Sequence, residues 1–167
     1  TGVQTCALPI SVFLCSLDTE RCFDSVWHAG LFYKLKNFLP FGHWKFLHSW
    51  YKTLLGVVKW NSSHSSIFSI TRGTRQGSCL SPLFFNIFLD GLLDKLHNAG
   101  LGLRFNKDCI GSLAYADDIT LLSATGPDLQ SQINICTEYA DTWRFSFGLK
   151  KSKCMIVGDN IFNMVPT

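Results

Sequence analysis

A chain of 167 residues holds one domain with its own hydrophobic core and leaves no room for two comfortable ones. Its 47% hydrophobic and 16% charged content excludes a disordered chain, and the lack of any run of ~18 apolar residues argues against a membrane span. The net charge of +3 permits a polyanionic partner without requiring one. Seven irregularly spaced cysteines with no Cys-x-x-Cys pair argue against a disulfide framework or zinc finger, and for reduced thiols in an intracellular protein.

In chain order, residues 1–10 (TGVQTCALPI) are apolar but lack a basic flank, so they do not read as a signal peptide and are taken as a non-native or unrelated leader. Residues 11–17 (SVFLCSL) fit a buried strand that delivers Asp18 at its end, with Phe23 and Asp24 in a following turn. Helical spacing covers 28–38, stopping before Pro40, and again 43–55, closed by Gly56. Residues 57–60 and 67–70 flank a polar cluster and predict a hairpin, followed by the loop GTRQG at 73–77. A long helix is expected over 80–99, with Ser81 as N-cap, Pro82 at the first position and Gly100 at the end. Strands at 110–114 and 119–123 face each other across Tyr115-Ala116-Asp117-Asp118. A helix from Pro127 to Arg144 and a strand at 154–157 complete one domain over 11–158, and 159–167 read as a truncated tail. Strands and helices without a βαβ repeat predict an α+β layer, helices against an antiparallel sheet.

Three carboxylates stand out because each closes or interrupts an apolar stretch. An Asp-Asp pair in a hairpin turn is by itself ordinary turn chemistry, and Asp18 alone is no more telling. In one sheet, however, neighbouring strands bring Asp18, Asp117 and Asp118 close enough to repel, and divalent cations are the natural compensation. Carboxylate oxygens completed by substrate phosphates suit Mg2+, and a pair of such ions serves nucleotidyl transfer.

The stretches LDTERCFDSVWH (17–28), GTRQGSCLSPLFFNIFLD (73–90) and AYADDI (114–119) occur in that order. They resemble the three central palm motifs of reverse transcriptases, in the form found in non-LTR, LINE-like retrotransposons. The resemblance runs over about 11–158 and implies an α+β polymerase palm, with an antiparallel sheet carrying the acidic site and helices packed on one face. It implies an RNA-directed DNA polymerase that joins a dNTP to the 3′-hydroxyl of a DNA primer on an RNA template. Two Mg2+ ions are implied, with Mn2+ as the alternative, one activating the primer hydroxyl and the other neutralising the triphosphate.

By the same resemblance Asp18 and Asp117 are the principal metal ligands and Asp118 the third carboxylate. Phe23 is the aromatic wall that excludes a ribose 2′-hydroxyl. Gln76 and Gly77 meet the incoming nucleotide and template, Arg75 a phosphate or the template, and Tyr115 the primer end. GLKKSKC (148–154) resembles the fourth palm motif, whose lysine corresponds to Lys153, a charge partner or general acid for pyrophosphate. Residues 1–10 do not resemble the family, and nothing after Val157 resembles a thumb. The competing readings are an inactive remnant of a mobile element and a metal-independent nucleic-acid-binding module built on Arg144, Lys150, Lys151 and Lys153. A cyclic-nucleotide synthase is a more distant one, having no use for the RQG loop.

Overall fold

Alternation along the first strand sets the architecture: Cys15, Leu17 and Thr19 are buried while Ser16 and Glu20 are exposed, so one face of the strand turns inward. The structure is a computed structural model and describes residues 11–75, 77–105 and 108–158. Its elements are β1 (Ser11–Asp18), α1 (Cys22–Ser25), α2 (His28–Leu35), α3 (Phe41–Lys52), β2 (Leu55–Gly56), β3 (Lys59–Trp60), β4 (Ser63–His64) and β5 (Phe68–Ser69). They continue with α4 (Ser81–Ala99), β6 (Leu103–Phe105), β7 (Asp108–Ile110), β8 (Ser112–Tyr115), β9 (Asp118–Ser123), α5 (Gly126–Trp143) and β10 (Lys153–Gly158). They fall into two compact units, one within Thr1–Glu20, Leu89–Thr142 and Ser146–Thr167, the other made of Arg21–Phe88 and Trp143–Phe145.

The first, the sheet unit, is built on an antiparallel sheet of order β10-β1-β9-β8. The register pairs Cys15 with Leu121 and Leu17 with Ile119, so all four buried side chains lie on one face. Helix α5 covers that face. Its buried stripe Leu129, Gln132, Cys136, Tyr139 and Ala140 follows helical spacing, and Lys95 of α4 lies over the Tyr139 ring. Cys15 and Cys154 stand opposite each other with sulfurs 2.8 Å apart. Burial first, and then the Cys154 thiol, pushes Cys15 up to about 12, while burial alone does the same for Cys136. Burial thus disfavours the thiolate, the nucleophilic form, at Cys15 and Cys136.

The β6–β7 ladder was not foreseen. It stands where Gly102 and Gly111 let two backbones touch: a Cβ on Gly111 would lie 2.2 Å from the Leu101 carbonyl oxygen. Gln132, fully buried, ties this ladder to the sheet by donating from Nε2 to the carbonyls of Leu101, Gly111 and Leu122. Such tertiary support carries no local sequence signal.

The second, the helical unit, is aromatic. Phe32, buried, meets Trp44, His48 and Tyr51 edge-on, and Tyr51 meets Phe84. Gly30 is required here, because a Cβ would come within 2.6 Å of the Trp27 ring. Helix α3 starts directly after Pro40, two residues earlier than its spacing predicts, and ends at Lys52. The expected hairpin is present with a different register. Asn61 takes the left-handed turn conformation, φ 53°, so Trp60 pairs with Ser63 and Lys59 with His64, while Leu55–Gly56 form an outer ladder with Phe68–Ser69. Ser81 does not cap α4. Leu80 supplies the first helical carbonyl, and the buried Ser81 hydroxyl donates to the Arg75 carbonyl at 2.6 Å.

Candidate active site

The sheet register puts the carboxylates in one row. One step beyond the buried Leu17–Ile119 pair, Asp18 stands directly opposite Asp118, and Asp118 opposite Tyr115. Side chains of directly opposed residues share a face, with Cβ atoms ~5 Å apart. Alternation therefore places Asp18, Asp118 and Tyr115 on the face away from α5. The hairpin between Tyr115 and Asp118 has two central residues, Ala116 and Asp117, and Ala116 adopts φ 54°. A positive φ at that position suits the twist of a two-residue hairpin, although glycine and asparagine take it at lower cost. Asp117 is half-buried, and its carbonyl accepts a hydrogen bond from the Thr19 hydroxyl at 3.2 Å, which fastens the turn beside Asp18.

A loop preceding β10 clasps Asp18. The Gly148 N–H donates to the Asp18 carbonyl at 2.7 Å, the Asp18 N–H donates to the Ser152 hydroxyl at 3.4 Å, and Glu20 N–H donates to Ser146 at 2.9 Å. Lys151 brings its ammonium to 3.2 Å and 3.3 Å from the two Asp18 carboxylate oxygens. The lysine is 74% exposed, so the pair contributes only ~0.2–1 kcal/mol and gives way readily to a stronger counter-ion. A Cβ on Gly148 would sit 3.2 Å from an Asp18 carboxylate oxygen, so glycine lets the loop pass close to that carboxylate. Lys153, the lysine chosen from sequence, lies in β10 opposite Ser16, on the same face as Asp18 and one row away. Lys151, Gly148 and Ser152 were missed. KKSK offers three equivalent cations, and only the start of β10 decides which one curls back.

The remaining expected residues belong to the helical unit. Phe23 lies on α1 and packs against Phe85 with ring centroids 5.4 Å apart. Its carbonyl accepts from the Thr74 N–H at 2.7 Å, and the Gly73 N–H donates to Val26 at 2.8 Å. The His28 ring donates to the Gly73 carbonyl at 2.7 Å, so the GTRQG loop is sewn to the segment that carries Phe23. Gly73 is needed at φ 89°, with a Cβ there 3.2 Å from the Asp24 backbone. Arg75 is exposed and stacks its guanidinium over Trp50 at 5.3 Å; Gly77 takes φ 80° with open space around it. Gln76 lies outside the described residues. Arg144 covers the Trp27 ring at 4.2 Å in the helical unit, whereas Lys150, Lys151 and Lys153 belong to the sheet unit.

Among the described residues no three His, Cys, Asp or Glu side chains are gathered tightly enough to hold an ion unaided. The donor set is nonetheless all oxygen, and two carboxylates face each other with a third in the adjoining turn. That chemistry fits a hard divalent cation whose shell is completed by substrate oxygens. Among the described residues, no helix is long and apolar enough to cross a membrane.

An antiparallel sheet with helices on one face and a carboxylate row at the end of the other is the palm of a polymerase. The profile of the reverse transcriptase (RNA-dependent DNA polymerase) family matches residues 5–163, and the chain belongs to that family, in the form carried by non-LTR retrotransposons. It is 32% identical over 143 residues to the RNA-directed DNA polymerase from mobile element jockey of Drosophila funebris, across 82% of this chain and 15% of that protein. It is 29% identical over 152 residues to the Pol polyprotein of retrotransposable element R2DM of Drosophila melanogaster, across 89% of this chain and 14% of that protein. The chain thus spans about a seventh of the length of these relatives. Among solved structures, apo telomerase from Candida tropicalis truncated from its C-terminal domain shares the fold, with a TM-score of 0.72 at 14% identity, covering 92% of this chain and 32% of that one. Telomerase from Candida albicans in complex with a TWJ fragment of telomeric RNA gives 0.68 at 14% identity, over 89% of this chain and 27% of that one.

Proposed function

We propose that this chain is the catalytic palm of an RNA-directed DNA polymerase, transferring a nucleotidyl group from a dNTP to the 3′-hydroxyl of a DNA primer paired with an RNA template. The observation that carries the reading is the register that sets Asp18 opposite Asp118 with Asp117 in the adjoining turn. Asp18 and Asp117 would hold a pair of divalent cations, Mg2+ or Mn2+, with Asp118 engaged more loosely. Bound there, the cations supply activation of the primer hydroxyl and neutralisation of the triphosphate.

The chain's own residues prepare that site. The Gly148–Ser152 loop fixes the Asp18 backbone, and Lys151 balances the Asp18 charge at 3.2 Å. Tyr115, 85% exposed on the same face, offers its ring to the primer terminus. Lys153 carries a proton within one row of Asp18, where it can neutralise or protonate departing pyrophosphate. Phe23 supplies the wall that rejects a 2′-hydroxyl, and the loop from Gly73 to Gly77, with Arg75 and Gln76, meets nucleotide and template. The palm needs shape and phosphate contacts more than base readout, since pairing chooses the nucleotide.

The test is primer extension on an RNA template, with this chain replacing the matching segment in the longer polymerase of a relative. Asp18→Ala and Asp117→Ala are each expected to abolish extension while leaving template binding unchanged. Extension at the parent rate by either variant would overturn the assignment.

A further inference from the structure

The net charge of +3 conceals a division. The helical unit contains nine Lys or Arg and a single carboxylate, Asp24, while the rest of the chain contains six Lys or Arg and eleven carboxylates. Helices α2 and α3 and the ladders β2 to β5 contain no acid at all. On α3, Phe41, Trp44, Lys45, His48 and Lys52 recur at steps of three, four and seven residues, which places them on one stripe of the helix. The rings on that stripe are stacked: Phe41 on Trp44 at 18° between planes, and Trp44 on His48 at 14° with centroids 4.6 Å apart. Lys36 sits 5.3 Å above the Trp44 ring, and Lys36 and Lys52 both lie near enough to His48 to add to the effect of burial and lower its pKa. Phe41, 74% exposed, leaves the ladder's outer end free. Beside its inner end a cleft of about 270 Å3 opens, with His48, Lys52, Ser69, Ile70 and Thr71 among its walls.

From this arrangement we propose that the Phe41–Trp44–His48 ladder, with Lys36, Lys45 and Lys52, is a binding surface for single-stranded RNA. A row of cations without acids attracts a polyanion, and a stack ending in a free aromatic face accepts unpaired bases, which a duplex does not present. Phe41 and His48 are ~10 Å apart along the helix axis, a span that a short run of nucleotides covers. Bases continue the stack on Phe41 and enter the cleft beyond His48, while phosphates follow Lys45 and Lys52. That the strand is RNA rests on the proposed template.

The experiment is fluorescence anisotropy of a labelled single-stranded 12-mer RNA titrated with the full chain in EDTA over a series of KCl concentrations. The parent and Asp117→Ala are expected to bind alike, because this surface uses no metal ion. Lys45→Gln/Lys52→Gln should weaken binding roughly tenfold or more and reduce the salt slope by ~1.4, about 0.7 for each phosphate contact on a single strand. Phe41→Ala should weaken binding by roughly five- to tenfold with the slope unchanged, as loss of one stacked base does. All three side chains are exposed, and tryptophan emission checks that the variants remain folded. Unchanged affinity and slope in the double variant would overturn the surface, as would equal or tighter binding of duplex RNA, and tighter binding of single-stranded DNA would overturn RNA as its occupant. RNA binding by the chain in EDTA, with no extension in Mg2+ by the chimeric polymerase, would remove the catalytic reading and leave this surface standing.

Discussion

The sheet unit holds eleven carboxylates against six Lys or Arg, whereas the helical unit holds one against nine. Their chemistry follows from that contrast. Where acids cluster at the end of a sheet, the site calls for cations, and the protein supplies one of its own in Lys151. Where cations line helices and ladders that contain no acid of their own, the surface calls for an anion. A polymerase needs both, one to hold metal and triphosphate chemistry and one to hold a polyanionic strand. Whole-chain net charge is blind to this, since the two excesses nearly cancel.

The contrast extends to spectroscopy, because all five tryptophans lie in the helical unit. Tryptophan emission therefore reports one unit while far-ultraviolet circular dichroism reports both. Truncating a fully buried leucine in either core, Leu35→Ala in the helical unit or Leu121→Ala in the sheet unit, should destabilise by ~2–5 kcal/mol. Helix α4 runs unbroken through the boundary, with Phe88 assigned to one unit and Leu89 to the other. Unfolding is consequently expected to be coupled, and Leu121→Ala should shift the tryptophan-monitored urea midpoint as far as the dichroism midpoint. A tryptophan transition left at the parent position would show that the units melt separately.

A smaller effect depends on pH and originates in the helical unit. Burial lowers the pKa of His28 below its ordinary 6.5, with the Gly73 carbonyl opposing in part. The unfolded chain then binds the proton more tightly than the folded one. The stability tied to neutral His28 is fully present above pH 6.5 and is lost as pH falls from 6.5 through the lowered value. Tryptophan-monitored stability of the parent should fall across that window, and His28→Gln, which keeps a donor for Gly73, should flatten the slope. An identical slope in the variant would assign the loss to other groups.

Much of the palm was legible because its signals are local. The apolar run before Asp18, the two runs around Tyr115–Asp118 and the stripe of α5 each carry their own period. What escaped depends on partners distant in sequence. The β6–β7 ladder exists because Gly102 and Gly111 meet and Gln132 ties three carbonyls together, and no window of ten residues contains that. Ser81 has the look of a cap, yet its hydroxyl is drawn away by the Arg75 carbonyl, six residues back. Which lysine of KKSK meets Asp18 depends on where β10 begins. The basic character of the helical unit is countable in the sequence, and of Arg144, Lys150, Lys151 and Lys153 three belong to the acidic unit, so adjacency in sequence does not make them one patch.

The smallest expected effect bears on the turn that holds Asp117. Ala116 at φ 54° carries roughly 1–2 kcal/mol of left-handed strain. Glycine removes that strain but adds roughly 0.5–1 kcal/mol of unfolded-chain entropy. Ala116→Gly should thus stabilise the protein by ~0.5 kcal/mol, a rise of only ~1–2 °C in the dichroism-monitored Tm at this size. The same change widens the conformations open to Asp117, which the Thr19 hydroxyl alone would then steady through its carbonyl. Mn2+ affinity by calorimetry should accordingly fall about two- to threefold while Tm rises. A lower Tm would mean that the methyl group contributes packing worth more than the strain, and unchanged Mn2+ affinity would mean that Asp117 owes its placement to the strands and not to the turn.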